Sequence, residues 1–172
     1  MPTVERVDLD RFMGTWFVHV YSPLWVDREA VNPVEHYYLE EDGSIATTYQ
    51  FRRGSVDARL RTYTPTGTVY NQGSNSEWRM QFLWPFKAEY LIVGLDEDYG
   101  GTVIAHPNRK YAWIMHREPD VDSARLERHK ELLTELGFDV DALETAQHDW
   151  EAEPERKAYL EQLAKGEPYT WR

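Results

Sequence analysis

Trp78-Arg79-Met80-Gln81-Phe82 alternates apolar and polar side chains without a lapse. Successive side chains of an extended backbone point to opposite faces, so this run predicts a strand with one buried face. Working outward, Trp84-Pro85-Phe86 interrupts the pattern, and Tyr90–Leu95 then runs apolar at both parities, as a strand covered on both faces does. A turn at 96–101, a short strand Thr102–His106, a hairpin loop Pro107-Asn108-Arg109-Lys110 and a strand Tyr111–Arg117 follow. Upstream, Gly14–Val20, Glu35–Glu40 and Ile45–Phe51 read as three strands. The first two are separated by a loop carrying Pro23 and Pro33, the second and third by the Asp-Gly hairpin turn Glu41-Asp42-Gly43-Ser44. Val56–Tyr70 holds one long or broken fourth strand. Eight strands joined mostly by short connections predict an all-β, antiparallel up-and-down meander, and eight are enough to close a barrel.

Past Glu118-Pro119-Asp120 the period changes. Asp122 is placed to cap a helix whose face carries Leu126, His129, Leu133 and Leu136, with Gly137 at its C′ position and Phe138 as the clasp. Such an amphipathic helix needs an apolar surface outside the barrel, and Tyr90–Leu95 offers one. Leu143–Gln147 predicts a short ninth strand. Pro154 and Glu155 open a second helix ending near Gly166, with Tyr169 and Trp171 beyond it. The expected organisation is a barrel with its packed helix over residues 1–150 and a helical tail over 151–172. The charge run Glu151–Lys157 reads as a solvated helix face or as a contact with a second subunit in a homodimer.

The 172 residues hold 19 Lys+Arg against 30 Asp+Glu, a formal charge of −11, which argues against nucleic acid and anionic membranes as partners. With no cysteine, disulfides, thiolate zinc sites, iron–sulfur clusters and cysteine nucleophiles are excluded. The first residues show no basic and apolar signal pattern, and no apolar stretch reaches membrane-spanning length. A cytoplasmic protein is expected as the sequence is written, or a periplasmic one if it is a trimmed mature form. Seven Trp and 11 Tyr suit a strand-rich fold or a cavity for something flat or greasy.

Three stretches carry a family resemblance. Asp10-Arg11-Phe12-Met13-Gly14-Thr15-Trp16-Phe17 resembles the Gly-x-Trp opening of the lipocalins, Leu95-Asp96-Glu97-Asp98-Tyr99 their second marker, and His116-Arg117-Glu118-Pro119 their third. Phe82-Leu83-Trp84-Pro85-Phe86 and Gly137-Phe138-Asp139-Val140 match the bacterial outer-membrane lipocalin and apolipoprotein D group more narrowly. The resemblance covers about residues 8–148. It implies a structural signature of Gly14, Trp16, Asp96, Tyr99 and Arg117, in which Arg117 stacks on the Trp16 ring and closes one barrel end. It also implies carriage of a small hydrophobic ligand such as a fatty acid or lysophospholipid, with no cofactor and no catalysis.

With Trp16 and Arg117 taken as inward, parity assigns the lining. The first strand points Val18 and Val20 inward, the second Glu35, Tyr37 and Leu39, the third Ile45, Thr47 and Tyr49. The fourth gives Leu60, Thr62, Thr68 and Tyr70, the fifth Trp78, Met80 and Phe82, the sixth Tyr90 and Ile92, and the last Tyr111, Trp113 and Met115. This lining suits a hydrophobic ligand held by one or two hydrogen bonds, although the same side chains could fill the barrel solid. Glu35, if inward, is a lone charge that titrates upward or meets a cationic or hydroxylated ligand. Lys87, Arg109 and Lys110 fall at the expected open end, where a surface role competes with holding a carboxylate. Among the six histidines, His106 and His116 could meet across neighbouring strands, but no metal-binding spacing is present and His129 reads as a packing residue. Phosphate loops and nucleophile elbows are absent. An enzyme acting on a lipid-like substrate in the cavity and a filled-barrel interaction module are the other two readings.

Overall fold

The computed structural model describes residues 1–83 and 86–164, without the side chains of residues 82, 83, 86 and 164. The expectations for Phe82 as a lining residue, for the Trp84-Pro85-Phe86 interruption and for the end of the tail near Gly166, with Tyr169 and Trp171, lie outside the described residues.

A short helix α1 (Leu9–Phe12) leads into β1 (Gly14–Tyr21), β2 (Ala30–Leu39), β3 (Ser44–Arg53), β4 (Arg61–Tyr63), β5 (Thr66–Val69), β6 (Glu77–Leu83), β7 (Phe86–Leu95), β8 (Gly101–Ala105) and β9 (Ala112–His116). Neighbouring strands pair antiparallel in the order β1-β2-β3-β5-β6-β7-β8-β9, and β1 also pairs with β9, which closes the barrel. β4 and β5 both pair with β3 and form one stave broken around Pro65, so nine runs of chain make eight staves. Pro33 lies inside β2 rather than before it, at the irregularity between Val31 and Val34, where a missing N–H is tolerated. The ninth strand is present as β10 (Glu144–Thr145), added to β1 opposite Val20 and Tyr21.

One end of the barrel is stoppered. Phe12 of α1 packs on Trp16, Trp78 and Tyr37, with ring centroids 5.1, 5.4 and 5.8 Å away. The Trp16 indole N–H donates to the Phe12 carbonyl at 2.9 Å. Arg117 lies with its guanidinium carbon 3.7 Å from the Trp16 ring centre. The same guanidinium donates to the carbonyls of Arg11, Phe12, Met13 and Thr15 at 2.8–3.0 Å, so one side chain ties the incoming segment, α1 and β1 together. Desolvation lowers its pKa to about 10, still far above any working pH.

Helix α2 (Ser123–Glu135) lies outside. The Asp122 carboxylate accepts from Arg125 N at the start, and at the end Gly137 (φ +86°) and Phe138 donate back to Thr134 and Leu133 carbonyls. Its Leu133, with Phe138 following, is buried on Leu91, Val93, Val103 and Ile114, while Leu126 and Leu136 pack at the margin. From Tyr90 to Gly94 strand β7 is therefore covered on both faces, as its sequence predicts. Gly94 permits this approach, since a Cβ there would stand 2.7 Å from Leu132 Cδ2.

Helix α3 (Pro154–Ala164) packs through Leu160 and Leu163, with Trp150, on Val34 and Phe17. The charge run before and within it is not simply solvated. Glu153 is buried between Arg52 (2.6 Å) and Arg156 (3.1 Å) and accepts from Asn32 Nδ2 at 2.6 Å.

Loss of Arg117 leaves four carbonyls of the closed end without their donor and an indole face bare. Arg117→Leu is expected to lower stability by about 3 kcal/mol or more in urea unfolding, and Arg117→Lys to recover less than half of it, because an ammonium cannot fork across four acceptors.

Candidate ligand site inside the barrel

The described interior follows the sequence reading on most staves. Trp16, Val18, Tyr37, Ile45, Tyr49, Trp78, Met80, Tyr90, Ile92 and Met115 belong to one buried cluster, with Leu39 and Trp113 half-buried against it. Thr47 lies between Ile45 and Tyr49 in register with Tyr37, buried, and its hydroxyl has no hydrogen-bond partner among the described residues. Tyr111 precedes β9 and sits half-buried with its ring edge-on to His106.

Two staves depart from the expected parity. The β1–β9 ladder shifts between Val18 and Val20, so Val20 turns outward beneath Leu133 and Phe138 while Tyr21 takes the inward place. On the fourth stave the parity is reversed throughout. Arg61, Tyr63, Gly67 and Val69 stand opposite Phe51, Tyr49, Ile45 and Trp78, all of the inner cluster, and so share their face. Thr62 and Thr68 stand opposite Gln50 and Arg79 on the outer face. Tyr70 is exposed, with the Arg79 guanidinium 4.0 Å over its ring. Leu60 lies before β4 in the wall of a cleft of about 620 Å³ bounded also by Arg53, Arg59 and Tyr63. The inward face of this stave has an arginine and a glycine where apolar side chains would have marked it. Gly67 is required by its neighbour, since a Cβ would fall 2.8 Å from Met80 Sδ.

Polar groups are gathered inside the aromatic lining. The Tyr37 hydroxyl donates to Glu35 Oε2, and the Tyr90 hydroxyl lies 2.6 Å from that of Tyr37. Glu35 points inward in register with Trp16 and Tyr49, yet it keeps part of its surface accessible. Desolvation raises its pKa to about 7, opposed by the Tyr37 hydrogen bond and assisted by the charge of Asp27. Towards the other end, Asp27 is buried, accepts from Leu24 N at 2.7 Å and from the Tyr49 hydroxyl at 3.3 Å, and is likewise shifted upward by burial. Tyr21 Oη accepts from Ala30 N and lies 2.8 Å from Glu144 Oε2. Trp78, Tyr90 and Trp113 form a stack, with centroids 5.3 and 6.5 Å apart and planes inclined by 11° and 20°. Asp27 and Tyr21 escaped the sequence reading; an Asp in a Pro-containing loop carries no signal that the loop folds back over the barrel.

The histidines are arranged differently from the expectation. His106 accepts from Asn108 N in its own hairpin and does not meet His116. His116 instead meets His129 of α2, Nε2 to Nδ1 at 3.3 Å, and His129 Nε2 lies 3.2 Å from Asp96 Oδ1. These three residues bring one potential metal-ligand atom each within 4.8 Å, in a chain in which the Asp96 carboxylate is also held by Arg125 at 2.7 Å. On the outer wall the row continues through His19 to His148, ring centroids 5.3 and 4.7 Å apart. Desolvation lowers the pKa of His116 to about 3 and that of His148 to about 4. Of the expected mouth cations, Arg109 donates from Nε to the Leu136 carbonyl at 2.7 Å and so caps α2, while Lys87 and Lys110 are exposed.

Residues 7–148 match the family model of the lipocalin-like domain. The chain is a lipocalin. Among similar proteins are the outer membrane lipoprotein Blc of Citrobacter freundii, 26% identical over 81% of this chain and 78% of that one, and temperature-induced lipocalin-1 of Arabidopsis thaliana, 23% identical over 87% and 84%. Insecticyanin from the tobacco hornworm Manduca sexta has the same fold at a TM-score of 0.66, 14% identity and coverage of 87% of this lipocalin and 85% of its own chain. The cockroach allergen Per a 4 does so at 0.64 and 19%, covering 89% and 96%. No helix among the described residues is long and apolar enough to cross a membrane.

The buried ionisable groups bias stability in opposite directions. Glu35 holds a proton in the folded lipocalin that the unfolded chain releases above pH 4.5, so its contribution is complete below that pH and is lost as pH rises through about 7. Glu35→Gln is expected to raise the melting temperature at pH 8, by no more than about 3 kcal/mol of stability, and to change it little at pH 4.5. His36, His116 and His148 have pKa values lowered to about 4, 3 and 4, so their stabilisation is present above 6.5 and is lost as pH falls from there towards 4. Thermal scans should show stability rising from pH 4 to a maximum between about pH 7 and 8, because three histidine protons outweigh the one held by Glu35 over that range, and His148→Gln should flatten the acid side of the curve.

Proposed function

We propose that this lipocalin binds and carries a small hydrophobic ligand inside the barrel and does no chemistry on it. The observation that carries this reading is an inward aromatic lining, stoppered at one end by Trp16 and Arg117, in which the Thr47 hydroxyl lacks a partner and Glu35 keeps accessible surface. Polar groups left in that condition are ones a ligand can complete, and the apolar rings around them supply the binding energy. The binding residues we assign are Val18, Glu35, Tyr37, Leu39, Thr47, Tyr49, Met80, Tyr90, Ile92, Trp113 and Met115. The single alkyl chain common to fatty acids and lysophospholipids suits such a lining. A chain of about fourteen methylenes is worth on the order of 11 kcal/mol when buried, and association removes roughly 4–15 of it, which gives micromolar affinity. Among the described residues no interior group pairs a nucleophile with a base and an oxyanion donor, which favours carriage over catalysis.

Trp113, half-buried on the inner face, is the natural reporter. Titration with myristate, a lysophospholipid and a neutral hydrophobic dye is expected to shift its emission to the blue with micromolar midpoints, and Trp113→Phe to remove most of that change. An emission spectrum indifferent to all three would mean a barrel filled by its own side chains.

A further inference from the structure

Among the described residues the interior carries two carboxyl groups, Glu35 and Asp27, that form no ion pair. Arg61, on the same inner face, bonds the Val26 carbonyl rather than either of them. Their hydrogen bonds come from Tyr37, Tyr49 and the Leu24 backbone, all neutral donors. The nearest candidates for a counter-charge are occupied or outside. Arg117 faces backbone carbonyls beneath the Trp16 ring, Arg61 donates to the Val26 carbonyl, and Arg53 and Arg59 are exposed. A carboxylate away from water needs either a proton or a positive partner, and here the protein supplies neither in full.

We propose that the ligand is a protonated amine with an apolar body, and that its ammonium group enters first to meet Glu35. This rests on the reading of the barrel as a ligand site and names the chemistry that site selects. Three features converge on it. The Glu35 carboxylate ends a hydrogen-bonded series with Tyr37 and Tyr90, takes its one hydrogen bond from Tyr37, and belongs to a residue that is only half-buried. The stacked rings of Trp78, Tyr90 and Trp113 present π faces to the same interior, and an ammonium or methylated ammonium is attracted to such faces where a carboxylate is repelled. Asp27, nearer the other end and held by Leu24 N and the Tyr49 hydroxyl, is a second carboxyl group on the interior, where a carboxylate head would add to its own kind and an ammonium would not. A free fatty acid oriented head-first meets two carboxyl groups, with Arg61 already bonded to the Val26 carbonyl.

The test uses three dodecyl probes at pH 8 on the whole protein, below their micellar range: dodecylammonium, dodecanol and dodecanoate, each followed by tryptophan emission. The expected order is dodecylammonium tightest by about tenfold, dodecanol next and dodecanoate weakest, as a short-range charge interaction in a partly desolvated site requires. In Glu35→Gln, with its fold checked by near-ultraviolet circular dichroism, the three affinities should draw together to within about threefold. Equal affinities on the wild-type protein, or dodecanoate binding tightest, overturn the head-group assignment and leave ligand carriage standing. Binding of none of the three overturns carriage itself and the inference with it. The wild-type order decides the matter even where the variant does not fold.

Discussion

The Arg117 guanidinium against the Trp16 indole is the contact on which the interior depends. A barrel of eight staves has two ends, and an interior of rings is a ligand site only if one of them is shut without filling the middle. Arg117 achieves this from the edge. Its planar fork bonds the carbonyls of residues 11, 12, 13 and 15 while its face covers the indole, so the closing segment is held by the periphery of the barrel. Phe12 then needs only to cover Trp16, Tyr37 and Trp78, and the space above them is left to the side chains of the staves.

From that floor the two faces of the barrel divide the chain's chemistry. Outside, between β1, β9 and α2, sits a row of neutral histidines bonded to one another, to backbone carbonyls and to Asp96, with His116 Nδ1 left without a partner among the described residues. Inside sit phenols and carboxyls. The outer row is a packing solution, since each imidazole brings a flat apolar face and a polar edge to a seam where helix and strands leave backbone carbonyls to be met. The Glu153–Arg52–Arg156 group does the same for α3, turning what reads as a surface charge run into an anchor.

The fold was legible because alternation survives wherever a stave is half-buried, and because the α2 signals at Asp122 and Gly137 are local. The lining was legible stave by stave to the extent that inward residues are apolar. Val20 was lost to a ladder shift that no residue type announces, since valine suits either face and the histidine beside it is itself buried. The fourth stave was lost because its inward face is written with Arg61 and Gly67, one polar and one with no side chain, while Thr68 and Tyr70 face outward. Gly67 makes sense only against Met80, a residue on another strand. Parity is a local rule, and it fails where the neighbouring stave supplies the missing volume. Asp27 was illegible for a similar reason: its burial is a property of a loop returning to Tyr49, 22 residues away.

Glu35 remains the residue that folding alone does not account for. Buried carboxyls in stable proteins are paired with cations, as Glu153 is with Arg52 and Arg156, and their pKa then falls, as that of Glu153 does. Glu35 shifts the other way, with desolvation outweighing the one hydrogen bond from Tyr37. Glutamine would keep that hydrogen bond, fit the same volume and remove the desolvation penalty above neutral pH. A side chain that opposes the fold at the pH where most proteins work is explained by something that enters the barrel and relieves it, and the same carboxylate that weakens the empty barrel is then the group that selects what fills it.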